Sequence, residues 1–190
     1  SGHTTINALA RIEKDVITKK PDLVVVMFGM NDVARVKIDD FEHKLRDITQ
    51  QCLDAGAAVM LCTPNSVYEN PERPNGKLAA YSDRTRTVAR DFKVPLVDFF
   101  KDWSELQQQD PRAWMLLMSE AIHPNMNGHK RFAELITLSL CGKKVSLADI
   151  EAAPAPLQNT RELLRSHQPV KLIAMPPYDQ ALPAALKKEF

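Results

Sequence analysis

Glu120-Ala121-Ile122-His123 places a carboxylate three residues before an imidazole. An acid at that spacing can accept the ring Nδ1–H, fix the tautomer and leave Nε2 free as a base. A second cluster, Gly29-Met30-Asn31-Asp32, follows the apolar run Leu23 to Phe28, and its Asn31 lies 92 residues before His123. An asparagine N–H at the end of a strand can donate to an oxyanion as it develops. Each cluster also has a plain structural reading. Gly-x-Asn-Asp after a strand is a turn with an Asx cap, His123 is a loop histidine held before Pro124, and Glu120 is a solvated carboxylate. Asp32 reads as a residue that caps a turn or orients its neighbour rather than one that reacts.

The elements that must position these clusters alternate along the chain. Ile6, Leu9, Ile12 and Val16 mark one face of a helix from Thr4 to Lys19. Leu23 to Phe28 is continuous, β-branched and apolar, which predicts a strand buried on both faces. A helix follows from Asp39 to Ala55, with Asp39 as its cap and Glu42 three residues on. Ala57 to Cys62 reads as a strand closed by Thr63-Pro64, and Asn65 to Gly76 as a long polar loop. Leu78 to Lys93 reads as a helix, Pro95 to Phe100 as a strand and Asn127 to Leu140 as a helix. This alternation specifies a parallel sheet with helices on both faces, a three-layer α/β/α sandwich. Ligands meet such sheets at the carboxyl ends of the strands, where Asn31 and Thr63-Pro64 both fall.

Taken together, the clusters resemble the blocks of the SGNH hydrolase superfamily, the GDSL-type esterases and lipases. Gly29 to Asp32 resembles its GxND block and Glu120 to His123 its DxxH block, with His-Pro-Asn and Gly128-His129 in keeping. Ser1-Gly2-His3-Thr4-Thr5 resembles the end of the block whose glycine donates a backbone N–H. The resemblance spans about residues 1 to 141 and implies an SGNH/flavodoxin-like sandwich. It implies Gly2 and Asn31 as oxyanion donors, His123 as general base and Glu120 as its orienting acid. The family's acid is Asp, so Glu120 adds one methylene. The family's nucleophilic Ser lies in a Gly-Asp-Ser segment upstream of the glycine block, where this sequence begins. That segment and two N-terminal strands, the central one included, are therefore expected outside this sequence. An N-terminal piece or a second polypeptide would complete the sheet. The implied activity is removal of short acyl groups, acetyl above all, from carbohydrate-like substrates. The polar loop after the second strand agrees, and Asn65 and Tyr68 are its candidate substrate-binding residues.

Composition bounds the alternatives. The chain has 190 residues, 44% hydrophobic and 26% charged, which suits one folded domain rather than a disordered chain. Twenty-five basic and twenty-four acidic side chains leave a net charge of +1, which argues against a nucleic-acid partner. The longest apolar run is far too short to span a bilayer. Cys52, Cys62 and Cys141 all read as buried free thiols. No metal-ligand spacing or phosphate-cradling loop occurs, so no metal or other cofactor is expected. Ser66 and Ser119 lack any nucleophile elbow and read as loop or capping hydroxyls; His3 and His129 read as structural. From Lys143 onward six of the last 48 residues are Pro. Residues 1 to 142 form the predicted domain, and 143 to 190 a Pro-rich extension expected to pack on it, with a helix at Leu157 to Ser166 and a strand at Val170 to Met175. The sequence assigns no compartment. The rival readings are a catalytically inactive SGNH-like binding domain and a lipase or lysophospholipase acting on longer chains.

Overall fold

The computed structural model describes residues 2–150 and 158–169. The chain divides into two units, Ser1–Ala148 and Asp149–Phe190. In the second unit the predicted helix is present as Gln158–Arg165, and the predicted strand at Val170 lies outside the described residues. The first unit carries the site.

Its sheet has three parallel strands in the order β1 (Leu23–Met27), β2 (Ala58–Cys62) and β3 (Leu96–Val97). Alternation along β2 builds both cores. Val59 and Leu61 face one hydrophobic cluster with Phe41, Leu45, Ile48 and Val88, while Met60 and Cys62 face another with Trp103, Trp114 and Phe132. Burial on the second side pushes the Cys62 thiol up to about 12, so it is an inert packing group.

The first layer holds α1 (Thr5–Leu9), α2 (Ile12–Asp15), α4 (Ile38–Asp54) and α5 (Asn75–Phe92), with the short α3 (Asp32–Arg35) after β1. The helix expected from Thr4 to Lys19 is broken into α1, α2 and a 3-10 turn at Ile17–Lys19. β-Branched Thr4, Thr5, Ile6, Ile12, Val16, Ile17 and Thr18 crowd this stretch and weaken any single long helix. Asp39 is not the cap of α4. Lys37 is, and Glu42 instead accepts from Arg46 and from Arg84 of α5. Burial alone would raise the Glu42 pKa, but the two guanidinium partners hold it below the usual range.

The second layer holds α6 (Phe99–Gln109), α7 (Pro111–Met115) and α8 (Met126–Cys141). The strand expected from Pro95 to Phe100 ends at Val97, because the Asp98 carboxylate accepts from Lys101 N–H and starts α6. Cys141, at the end of α8, is exposed rather than buried.

One departure bears on the site. β1 was expected to be covered on both faces, yet Leu23, Val25 and Met27 are 37%, 43% and 46% exposed, while Val26 is buried. Val25 and Met27 neighbour Met60 and Cys62 in the sheet, so the second layer covers β2 and stops short of β1. Among the described residues no strand pairs with the outer edge of β1.

Candidate active site

The turn after β1 is built around Gly29 and Asp32. Gly29 has φ +120°, and a Cβ there would lie 3.3 Å from the Pro64 ring, so both conformation and space call for glycine. Asp32 is fully buried and accepts three hydrogen bonds: from Gly29 N–H at 3.1 Å, Thr5 N–H at 2.8 Å and Thr5 Oγ1 at 2.6 Å. One carboxylate thus fastens the first residue of α1 to the end of β1. As a result Gly2-His3 runs beside Asn31, whose Nδ2 donates to the His3 carbonyl at 3.1 Å. Arg35 donates to the Gly2 carbonyl at 2.7 Å. On the other side, Arg73 donates to the Met30 carbonyl at 3.0 Å and approaches Asn31 Oδ1 at 3.4 Å.

Glu120 and His123 come from the loop between α7 and α8. Met118 and Pro124 form an antiparallel bridge, and Ser119 donates to the His123 carbonyl from both N and Oγ at 2.9 Å. Asn125 anchors the base of the loop. Its Nδ2 donates to the Leu116 and Met118 carbonyls, and its Oδ1 caps α8 by accepting from Asn127 and Gly128. Gly128 is buried under this loop, where an added Cβ would lie 2.6 Å from the Leu117 carbonyl.

Glu120 folds back on its own loop. One oxygen accepts both the His123 backbone N–H, at 2.8 Å, and the His123 ring Nδ1, while the other accepts Ile122 N–H. Desolvation would raise its pKa, but the bonds from the His123 ring and the two backbone N–H groups outweigh it and hold the carboxylate below its ordinary range. The pair is nonetheless open to solvent, with side chains 71% exposed for His123 and 51% for Glu120.

These segments border one cavity of about 480 Å³. Gly2, Asn31, Asn65 and His123 line it, and Glu120, outside the lining, bonds the His123 ring. Tyr68, expected to bind substrate, is not part of the lining. Its ring stands edge-on to Trp114 at 4.6 Å and its N–H donates to the Ala121 carbonyl. Asn65 lines the cavity but is buried, and its amide donates to the Ser66 carbonyl. Asn70 and Asn75 likewise bond backbone within the loop. His3 and His129, read from the sequence as structural, both line the cavity, as do Arg35 and Arg73. Nothing in their local sequence marks these four, because long-range packing alone brings them together.

Among the described residues, the two serines weighed from the sequence have other partners. Ser66 is buried and accepts from the Trp114 indole N–H at 3.0 Å. Ser119 is the capping hydroxyl described above. Among the described residues no group of three or more His, Cys, Asp or Glu side chains converges on a metal position.

An imidazole held through Nδ1 by a carboxylate borders the same cavity as an asparagine amide and a glycine, at the carboxyl ends of parallel strands, and such groups are the kind that general-base chemistry with an oxyanion uses. Residues 1–131 match the model of the GDSL-like lipase/acylhydrolase family, and the chain belongs to that family. An acetylxylan esterase of Geobacillus stearothermophilus is 30% identical over 142 residues, covering 68% of this chain and 64% of the relative. The crystal structure of an acetylxylan esterase from the same organism superposes with a TM-score of 0.66 at 28% identity, over 76% of this chain and 71% of that one. A lipase/acylhydrolase of Enterococcus faecalis gives 0.66 at 25% identity, over 76% and 75%. The chain spans less than two thirds of the length of the first curated relatives it matches.

Proposed function

We propose that this chain supplies the base, the orienting acid and the oxyanion donors of a serine ester hydrolase that removes short acyl groups, chiefly acetyl, from carbohydrate-like substrates. The observation that carries the reading is the Glu120–His123 pair bordering the same cavity as Asn31 and Gly2. The acetylxylan esterase relative supports the acetyl and carbohydrate parts. Catalytic mutants of that kind of esterase alter a serine, an aspartate and a histidine three residues after the aspartate, the spacing of Glu120 and His123 here.

The serine would come from a segment that pairs with the open edge of β1 and covers Leu23, Val25 and Met27. These side chains are 37–46% exposed, so covering the remainder stabilises by roughly 0.6–1.4 kcal/mol each, which favours an added layer there. In the reaction His123 Nε2 takes the serine proton as the hydroxyl oxygen attacks the ester carbonyl carbon. The Gly2 N–H and the Asn31 amide hold the tetrahedral oxyanion. Collapse breaks the ester C–O bond, and the imidazolium returns the proton to the departing alcohol. Water, deprotonated by the same imidazole, then attacks the acyl carbon; the bond from that carbon to the serine oxygen breaks, the imidazolium returns its proton to that oxygen, and the acid leaves. Glu120 stabilises the imidazolium in both halves.

The second reading, an inactive binding domain, is favoured by one observation: no serine hydroxyl among the described residues donates to the His123 ring. The test is acetate release from acetylated xylooligosaccharide, and p-nitrophenyl ester hydrolysis across acyl lengths, by the full-length protein. The expected result is a preference for acetyl over octanoyl and a loss of about 10²–10⁴ for His123→Ala. Binding of the sugar without turnover would install the inactive-domain reading, and a preference for eight carbons or more the lipase reading.

A further inference from the structure

We infer that Arg73 is a positioning residue that fixes the orientation of the Asn31 amide, an inference resting on the oxyanion role proposed for Asn31. Arg73 comes from the loop after β2, 42 positions from Asn31 in sequence. Its side chain is only 11% exposed and lines the cavity. Its three guanidinium nitrogens bond in three directions. Nε donates to the Met30 carbonyl at 3.0 Å, Nη1 to the exposed Glu72 carboxylate at 2.8 Å, and Nη2 points at Asn31 Oδ1 at 3.4 Å. The arginine backbone is itself held, its N–H donating to Asn70 Oδ1 at 2.9 Å.

The consequence for Asn31 follows from donor and acceptor identity. An asparagine amide has one acceptor end and one donor end, and rotating it by half a turn exchanges them. With a guanidinium on one side and the His3 carbonyl on the other, the rotated amide would set donor against donor and acceptor against acceptor. The cation therefore selects the orientation in which Nδ2 faces His3. One of its two N–H groups goes to the His3 carbonyl, and the other is left for the oxyanion. Bonding a cation at Oδ1 also draws electron density from the amide and strengthens that N–H as a donor. Arg35 does the corresponding job for the neighbouring donor segment, holding the Gly2 carbonyl at 2.7 Å. A lysine would replace Arg73 only in part, since an ammonium lacks the planar fork that reaches Met30 and Asn31 at once.

The test combines kinetics with a readout that does not need turnover. Arg73→Met keeps the apolar stem and removes the fork. In the full-length protein it is expected to lower kcat by about 10- to 100-fold, the scale of a misplaced catalytic group, with KM changed less than about twofold. In an Asn31→Ala background the same substitution is expected to have almost no further effect. In parallel, the Asn31 side-chain ¹H–¹⁵N resonances should shift or broaden on Arg73→Met. Should that variant not fold, Arg73→Lys is read the same way and is expected to fall between wild type and the values above. Multiplying effects in the double variant, a raised KM with unchanged kcat, or unmoved Asn31 resonances would each overturn the inference. Moved resonances in a protein that hydrolyses no ester would uphold the positioning role while sinking the esterase reading.

Discussion

The two walls of the cavity are built on opposite plans. The Asn31 wall hangs from a fully buried carboxylate, Asp32, whose three hydrogen bonds join α1 to the end of β1. The His123 wall is a surface loop held by its own backbone and by Asn125, with an imidazole 71% exposed. The Asn31 side is thus part of the folding core, whereas the His123 side rides on that core as an exposed loop. Preorganised dipoles do most where they are rigid and shielded, and the Asp32 network is fully buried.

The largest expected effect follows from breaking the buried wall. Asp32→Ala leaves two backbone N–H groups and a threonine hydroxyl without their acceptor. It should cost about 3–5 kcal/mol of stability, since each buried unsatisfied donor costs roughly 1–3. Urea unfolding measures this, and a loss below about 1 kcal/mol would mean that water reaches the site and the walls are alike. Next is Gly128→Ala, where the new methyl meets the Leu117 carbonyl at 2.6 Å and the Pro124 ring at 2.7 Å. Overpacking of this kind costs about 1–3 kcal/mol. The same change should move the His123 loop, so activity is expected to fall more than the stability loss explains. His123→Ala should shift the unfolding midpoint no further than ordinary surface substitutions do, although it is expected to abolish most turnover. A marked destabilisation would show that the loop is part of the core after all.

The smallest effect is electrostatic. The Glu120 pKa is lowered in the folded chain, so its ionised form stabilises the fold. That contribution is present above the unfolded-state value and disappears as the pH falls through the depressed folded value. The stability difference between wild type and Glu120→Gln is therefore expected to shrink as the solution is acidified below the ordinary carboxylate range. Carbon-detected NMR should show the Glu120 carboxyl titrating below an ordinary glutamate, and an ordinary titration would mean that the bonds to His123 do not persist in solution.

Local chemistry explains how far the sequence could be read. The spacing of Glu120 and His123 fits a single loop, and the three-residue separation suffices for Nδ1 to meet the carboxylate. The apolar run from Ala57 to Cys62 likewise disclosed β2, whose two faces pack against separate clusters. Arg73, Arg35, His3 and His129 could not be found this way, because each reaches the cavity from a different segment. Tyr68 shows the converse: a tyrosine in a polar loop looks available, yet its ring stands against Trp114 and outside the cavity lining.

The main strands and helices, the parallel sheet and the two clusters around Asn31 and His123 are thus legible in residue pattern alone, since periodicity and short-range hydrogen bonding act within a few residues. Which face of β1 is left open, which side chains share the cavity, and which way the Asn31 amide points were decided by tertiary packing. Those outcomes depend on contacts between residues tens of positions apart, such as Thr5 with Asp32 and Met30 with Arg73, and only the folded chain brings such partners within hydrogen-bonding distance.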